Sequence, residues 1–221
     1  QLNPSASVLI SDPSWENHRA LFTRAGFRVD TYRYYDAEAR GIDFDGMLAD
    51  LRIADAGTIV VLHACCHNPT GADLSAEQWD QVIALMHERN LVPFVDMAYQ
   101  GFDQGIDEDA IAIRKLAASP IRNFLVANSF SKSFSLYGER VGALTVVSDN
   151  SEESGRVQSQ VKRLIRANYS SPSFHGAALV AGVLNDGGLR RQWEDELGGW
   201  RTRIHALREG LVERLAAHGA T

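Results

Sequence analysis

The sequence predicts an α/β fold, a mostly parallel sheet with helices on both faces, and three observations carry that prediction. Short β-rich runs alternate with helical patterns through the first two thirds of the chain. The runs are continuously apolar rather than alternating, as expected of strands covered on both faces. Polar residues cluster directly after several runs, where sheets of this class bind their ligands.

Residues 7–11 (SVLIS) read as the first strand, and a helix over 16–25 follows, closed by Gly26. A strand over 28–34 leads to a helix over 45–54 and to the apolar run 58–64 (TIVVLHA). The helix over 75–90 carries the firmest signals: Ser75 and Gln78 have capping-box spacing, and Trp79, Val82, Ile83 and Met86 share one face. A strand over 91–96, a helix over 108–118, and strands over 123–128 (NFLVAN) and 141–147 come next. From Ser151 onward the pattern is helical, over 152–168, 173–185 and 188–218. Neither a repeat nor a Pro/Gly-rich linker divides the chain.

Composition narrows the function. The 221 residues are 45% hydrophobic and 23% charged, and Lys+Arg 22 against Asp+Glu 28 gives a net charge of -6. With no basic run, nucleic acid and anionic membranes are not expected partners. No apolar stretch approaches the ~20 residues that span a bilayer. The two cysteines, Cys65 and Cys66, are adjacent and poorly placed to pair with each other, and no apolar leader opens the chain, so a cytoplasmic, reducing compartment is expected. Both ends look cut: the first strand begins without a turn, and the chain stops at Gly219-Ala220-Thr221 just past a helix, as in the interior of a longer protein.

Three strand ends present polar groups that could face one ligand. The run 58–64 leads into Cys65-Cys66-His67-Asn68-Pro69-Thr70-Gly71, the run 91–96 into Asp96-Met97-Ala98-Tyr99, and the run 123–128 into Ser129-Phe130-Ser131-Lys132, with Arg140 beyond. Only three lysines accompany nineteen arginines, and Lys115 and Lys162 fall within helical patterns. Lys132 alone sits at a strand end. A lysine amine freed of its proton attacks carbonyls, which is what Schiff-base chemistry requires.

His67-Asn68-Pro69-Thr70-Gly71, Asp96-Met97-Ala98-Tyr99, Ser129-Phe130-Ser131-Lys132 and Tyr137-Gly138-Glu139-Arg140-Val141-Gly142 occur in the order and spacing of class I aminotransferases, which the chain resembles over nearly its whole length. Pro13-Ser14-Trp15-Glu16-Asn17-His18 and Arg166-Ala167-Asn168-Tyr169-Ser170-Ser171-Pro172 match the aspartate and aromatic amino-acid branch, and the details resemble bacterial aromatic (tyrosine) aminotransferases most. The resemblance implies pyridoxal 5'-phosphate as cofactor and the large domain of PLP fold type I. That domain would cover residues 1–185, with 186–221 a long helix leading toward a small C-terminal domain that is absent. It further implies a homodimer with shared sites, amino acids and 2-oxo acids as substrates, and ping-pong transfer to 2-oxoglutarate. By position, Lys132 resembles the Schiff-base lysine and general base, Asp96 the carboxylate at the cofactor's ring nitrogen, and Tyr99 and Asn68 the donors to its phenolic oxygen. Ser129 and Arg140 match the phosphate ligands, Trp15 the aromatic against the ring, and His18 the residue behind Asp96. Arg166 resembles the residue that reaches the neighbouring subunit's site to meet a dicarboxylic substrate. The family's Gly-rich phosphate loop and its α-carboxylate Arg fall outside this sequence.

Other readings stand beside this one. Aspartate aminotransferase proper is the nearest. A lyase, a decarboxylase or a transcription regulator's aminotransferase-like domain would keep the cofactor and change the role. A metal site is the most distant: His63, Cys65 and His67 alternate along a predicted strand and would face one way.

Overall fold

The computed structural model describes residues 5–219. Its apolar runs form one six-stranded sheet. The strands are β1 (Ser7–Asp12), β2 (Arg28–Arg33), β5 (Ile59–His63), β6 (Val92–Met97), β7 (Phe124–Ser129) and β8 (Gly142–Val147), in the order β2-β1-β5-β6-β7-β8. All neighbours pair in parallel except β7 and β8. A two-stranded ribbon of β3 (Tyr35–Asp36) and β4 (Gly41–Ile42) lies apart, too short to leave a periodic signal in the sequence.

Successive side chains of a strand point to opposite faces, and in the middle of the sheet both faces are covered. On one, Val60, Leu62, Val95 and Met97 pack with α2 (Phe44–Ile53), α3 (Ala76–Glu88) and α4 (Ile111–Ala118) through Met47, Leu51, Trp79, Val82, Met86 and Leu116. On the other, Val8, Ile10 and Val61 meet Phe22 of α1 (Glu16–Arg24), Phe27 and Phe94. The α3 capping box forms as the sequence predicts: Gln78 N donates to Ser75 Oγ, and Ser75 N donates to Gln78 Oε1. The chain ends in α5 (Ser151–Asn168), α6 (Phe174–Asn185) and α7 (Gly187–Ala217).

Two expectations need correction. The helix over 108–118 begins only at Ile111, after a 3-10 turn over Glu108–Ala110. The buried Asp109 carboxylate accepts backbone N–H groups from Gly101, Asp103, Gln104 and Gly105, which winds the preceding loop too tightly for α-geometry. The runs 28–34 and 141–147 are not covered on both faces: as β2 and β8 they form the two edges of the sheet, where packing from the helices thins out; β2 buries only Tyr32, and β8 buries no residue and leaves Leu144 exposed.

Candidate active site

Strand order reverses at β1. The chain leaves β1 for β2 on one side and later crosses to β5 on the other, so the loops after β1 and β5 diverge and open a crevice at the strands' carboxyl ends. Register sets the neighbouring strand ends level, pairing His63 with Asp96 and Asp96 with Ala127.

After β1, Trp15 precedes α1 and its ring meets His18 edge-on at 5.2 Å. His18 is 3% exposed. Its Nδ1 lies 3.0 Å from Ser14 Oγ, and its Nε2 lies 3.0 Å from Asp96 Oδ2. An ionised carboxylate only accepts, so Nε2 carries the proton and donates. Asp96 is thereby fixed through one oxygen at the end of β6, while its other oxygen has no partner among the described residues.

After β5, the chain turns sharply at Cys66, whose φ is 49°. Asp73 holds this turn by accepting the backbone N–H groups of Cys66 (2.6 Å) and His67 (2.8 Å), and burial raises its carboxyl above the ordinary carboxylate range against those two bonds. His67 stacks on Tyr34 at 4.1 Å. Its Nε2 meets Ser11 Oγ at 2.9 Å and its Nδ1 meets Thr70 Oγ1 at 2.8 Å. His63 lies between them, 5.1 Å from the His18 ring and 4.3 Å from the His67 ring. Burial, then the neighbouring His18, lowers His63 to about 4, and burial with His63 and His18 lowers His67 to about 3. Asn68 follows, its amide side chain without a hydrogen-bond partner among the described residues and its backbone N–H 3.5 Å from His63 Nδ1.

The metal reading fails on this geometry. The turn at Cys66 breaks the strand alternation before His67, both His67 nitrogens are taken by hydroxyls, and Cys65 Sγ faces Met97 Sδ at 4.0 Å. No three His, Cys, Asp or Glu side chains converge to hold a metal ion among the described residues.

Lys132 belongs to the connection 130–141 between β7 and β8, and its Nζ lies over the Tyr99 ring, 4.9 Å from the centroid. It makes no ion pair among the described residues. Burial pushes the Tyr99 phenol upward, helped by Tyr137 and the Asp96 charge, so the phenol keeps its proton at neutral pH. Ser129 closes β7 and accepts Ser131 N at 3.3 Å. These contacts link Trp15, His18 and Asp96 in one group and Tyr99 with Lys132 in another, with the Asp96 charge acting on the Tyr99 phenol. Arg140 is exposed, at φ 52°, with its Nη1 donating to Tyr137 O at 2.8 Å in its own loop. Arg166 is exposed near the end of α5 and bonds Ser170. Sequence reasoning missed Ser11, Ser14, Thr70 and Asp73, which orient the others. Only Ser14 and Thr70 offered a signal, as members of the runs 13–18 and 67–71 that carry the resemblance.

The donor chemistry fits an aromatic aldehyde with a protonatable ring nitrogen. A buried histidine fixes a carboxylate, an unpaired amine stands over a protonated phenol, and an unpartnered amide and a hydroxyl complete the strand ends.

Residues 1–221 match the family model described as aminotransferase class I and II. The chain is 59% identical over 220 residues to the aspartate aminotransferase of Pseudomonas aeruginosa, covering 100% of this chain and 55% of that protein. It is 53% identical over 213 residues to the aromatic-amino-acid aminotransferase of Escherichia coli, covering 96% and 53%. Among solved structures, the aromatic-amino-acid aminotransferase of Burkholderia pseudomallei, covalently bound to pyridoxal phosphate, superposes with a TM-score of 0.96 at 60% identity, over 99% of this chain and 54% of that one. The chain thus spans about half the length of these relatives.

Proposed function

The chain belongs to the class I and II aminotransferases, and from that premise we propose that its parent protein moves the amino group of aromatic and dicarboxylic L-amino acids to 2-oxoglutarate, using pyridoxal 5'-phosphate. The single observation that carries the reading is the convergence of Lys132 Nζ, the Tyr99 ring and the His18-fixed Asp96 carboxylate at adjacent strand ends. Residues 1–185 form the large domain, and 186–221 lead toward a smaller one.

Pyridoxal 5'-phosphate, when bound, supplies an aldehyde that amines attack and a protonated ring that draws electron density from the substrate Cα. Asp96 would hold the proton at the ring nitrogen, and His18 keeps the carboxylate aimed. Tyr99 and Asn68 would donate to the phenolic oxygen. Ser129 and Arg140 would hold the phosphate, Arg140 on exchanging its bond to the Tyr137 carbonyl for the phosphate oxygens. Trp15 would pack against the ring. Lys132 Nζ would hold the cofactor through its aldehyde carbon and, once displaced by the substrate amine, would take up the proton of the substrate Cα as general base. Arg166, exposed on a helix with no buried residue, meets the side-chain carboxylate of a dicarboxylic substrate in a partner subunit's site. The working unit is then a homodimer in the cytoplasm.

The test is borohydride reduction of the full-length protein with pyridoxal phosphate, followed by peptide mapping. Label on Lys132, abolished in Lys132→Ala along with transamination, is expected. Label spread over Lys115 and Lys162, or near-full turnover by Lys132→Ala, would overturn the reading. Initial rates should give parallel double-reciprocal lines.

The name and 59% identity of the Pseudomonas aeruginosa relative favour a second reading, preference for aspartate. The kcat/KM for tyrosine against aspartate decides between them. Under either preference, Arg166→Ala should cost about 2 to 5 kcal/mol of kcat/KM for aspartate and far less for phenylalanine.

A further inference from the structure

Helix α7 presents Trp193, Leu197 and Arg201 at intervals of four, on one face. This face touches two of the loops that form the candidate site. Trp193 Nε1 donates to Ser133 O at 2.7 Å, and its ring stacks on Phe134 at 4.5 Å with an interplanar angle of 20°. Phe134 in turn meets Phe130 edge-on at 5.6 Å. Two turns along, Arg201 Nη1 donates to Gly101 O at 2.8 Å. Between them lies Leu197, fully buried, against Gly101: a Cβ there would sit 2.4 Å from Leu197 Cδ2. The first loop carries Lys132, one residue before Ser133, and the second carries Tyr99, two before Gly101.

A lysine's amine is located by the backbone that carries it, since four rotatable bonds otherwise leave it free. The backbone here is an irregular connection over 130–141, with Ser135 and Arg140 both at left-handed φ. Around Lys132 its backbone bonds are local, Phe134 N to Phe130 O at 3.3 Å and Ser135 N to Lys132 O at 3.0 Å, and Ser131 N reaches back to Ser129 Oγ at the end of β7. The β6–β7 register, with Met97 opposite Asn128, sets the roots of the lysine and tyrosine loops level, and Gly176 of α6 lies against the far end of the connection at Glu139 and Val141. Trp193 ties the stretch next to Lys132 to α7, and the same helix holds the tyrosine loop through Arg201, so α7 bridges the two loops beyond their strand roots.

We propose that Trp193 is a positioning residue for Lys132, and that α7 holds the lysine and tyrosine loops at a fixed separation. The link to lysine reactivity rests on the function proposed above.

Trp193→Phe in the full-length holoenzyme keeps an aromatic ring against Phe134 and removes the N–H. Amide exchange at Phe134 and Ser135 should quicken about tenfold, the effect of losing one hydrogen bond, while exchange at Gly101 and Gln104 stays unchanged. Borohydride trapping of pyridoxal phosphate on Lys132 should slow at least about tenfold, and the pH midpoint of the bound cofactor's visible band should move, with the far-ultraviolet circular dichroism unaltered. A merely structural tryptophan would leave that midpoint in place. Phe134→Leu, which strips the stack and spares the N–H, should produce the same localised pattern and serves if Trp193→Phe does not fold. Trapping within twofold of the unaltered protein, with unchanged exchange at Phe134 and Ser135, overturns the proposal. Absence of trapping on Lys132 in the unaltered protein overturns the cofactor reading instead. The restraint of the loop by α7 is then decided by the exchange rates alone.

Discussion

Asp96 and His18 depend on each other. With Asp96 replaced by Ala, His18 Nε2 is left buried without an acceptor, and such a loss costs about 1 to 3 kcal/mol. Asp96→Asn keeps an acceptor for that N–H and should retain most of the stability while losing the fixed charge. Unfolding free energies of the two variants check this, and equal losses would count against the pairing. His63 and His67 add a pH dependence. Both are held neutral, near 4 and 3, below the ordinary histidine value of 6.5. A lowered histidine contributes stability that is fully present above pH 6.5 and is lost as pH falls toward the folded value, because the unfolded chain takes up the proton first. Each contributes up to about 1.4 kcal/mol per pH unit within that window. His63→Gln should flatten the decline in unfolding free energy between pH 6.5 and 4.5, and an unchanged slope would remove His63 from the account. Asp96 was legible because it falls at the end of a strand run, and Lys132 because it follows one and few lysines compete. The hydrogen bonding of His67 was not, because Ser11 reaches it from 56 residues away and the turn at Cys66 swings it out of the strand alternation toward Thr70.

At the scale of elements, α3 shows how far local signals reach. Its cap, its apolar face and its length follow from the sequence, and Ser75→Ala should cost about 1 kcal/mol by freeing the Gln78 N–H. The turn before Ile111 was illegible because a side chain in the following element, Asp109, gathers four N–H groups of the loop ahead of it. Gly101 lies inside that loop at φ 93°. Gly101→Ala faces both the left-handed penalty of roughly 1 to 2 kcal/mol and the contact with Leu197, which adds about 1 to 3 kcal/mol of overpacking. Adding Leu197→Ala to Gly101→Ala should recover the overpacking part while introducing a cavity cost of its own, so the two changes should be less than additive. A double-mutant cycle on melting measures it, and strict additivity would place the strain elsewhere.

Across the whole molecule, burial is greatest in the middle of the sheet and falls toward both edges. The central strands β1, β5 and β6 carry residues with no exposed surface, with Val60 and Val95 sealed by Trp79 and Met86 of α3 and Val8 and Val61 covered on the other face by Phe22. At the edges β2 and β8 are largely exposed; beyond the sheet, α5 buries no residue, and α7 buries only Leu197 in 31 residues. The sequence showed strands and helices alike throughout, since apolar patterning reveals which residues can be buried and not what lies opposite them; Phe174, at 80% exposure, has the composition of a core residue. Segments with few buried contacts open at lower free energy than the core. Amides of α5 should therefore exchange at least about hundredfold faster than those of β5 and β6, a gap of roughly 3 kcal/mol in opening free energy. Exchange in α7 should divide along the helix, slowest around Leu197, where Trp193 and Arg201 grip the site loops, and fast toward Ala217. Hydrogen exchange read by mass spectrometry on this chain resolves these segments. Uniform protection from β5 through α5 would mean that the exposed edge folds as one unit with the core. A protected centre in α7 flanked by open ends would show that the helix is held at the two loops it joins rather than along its length.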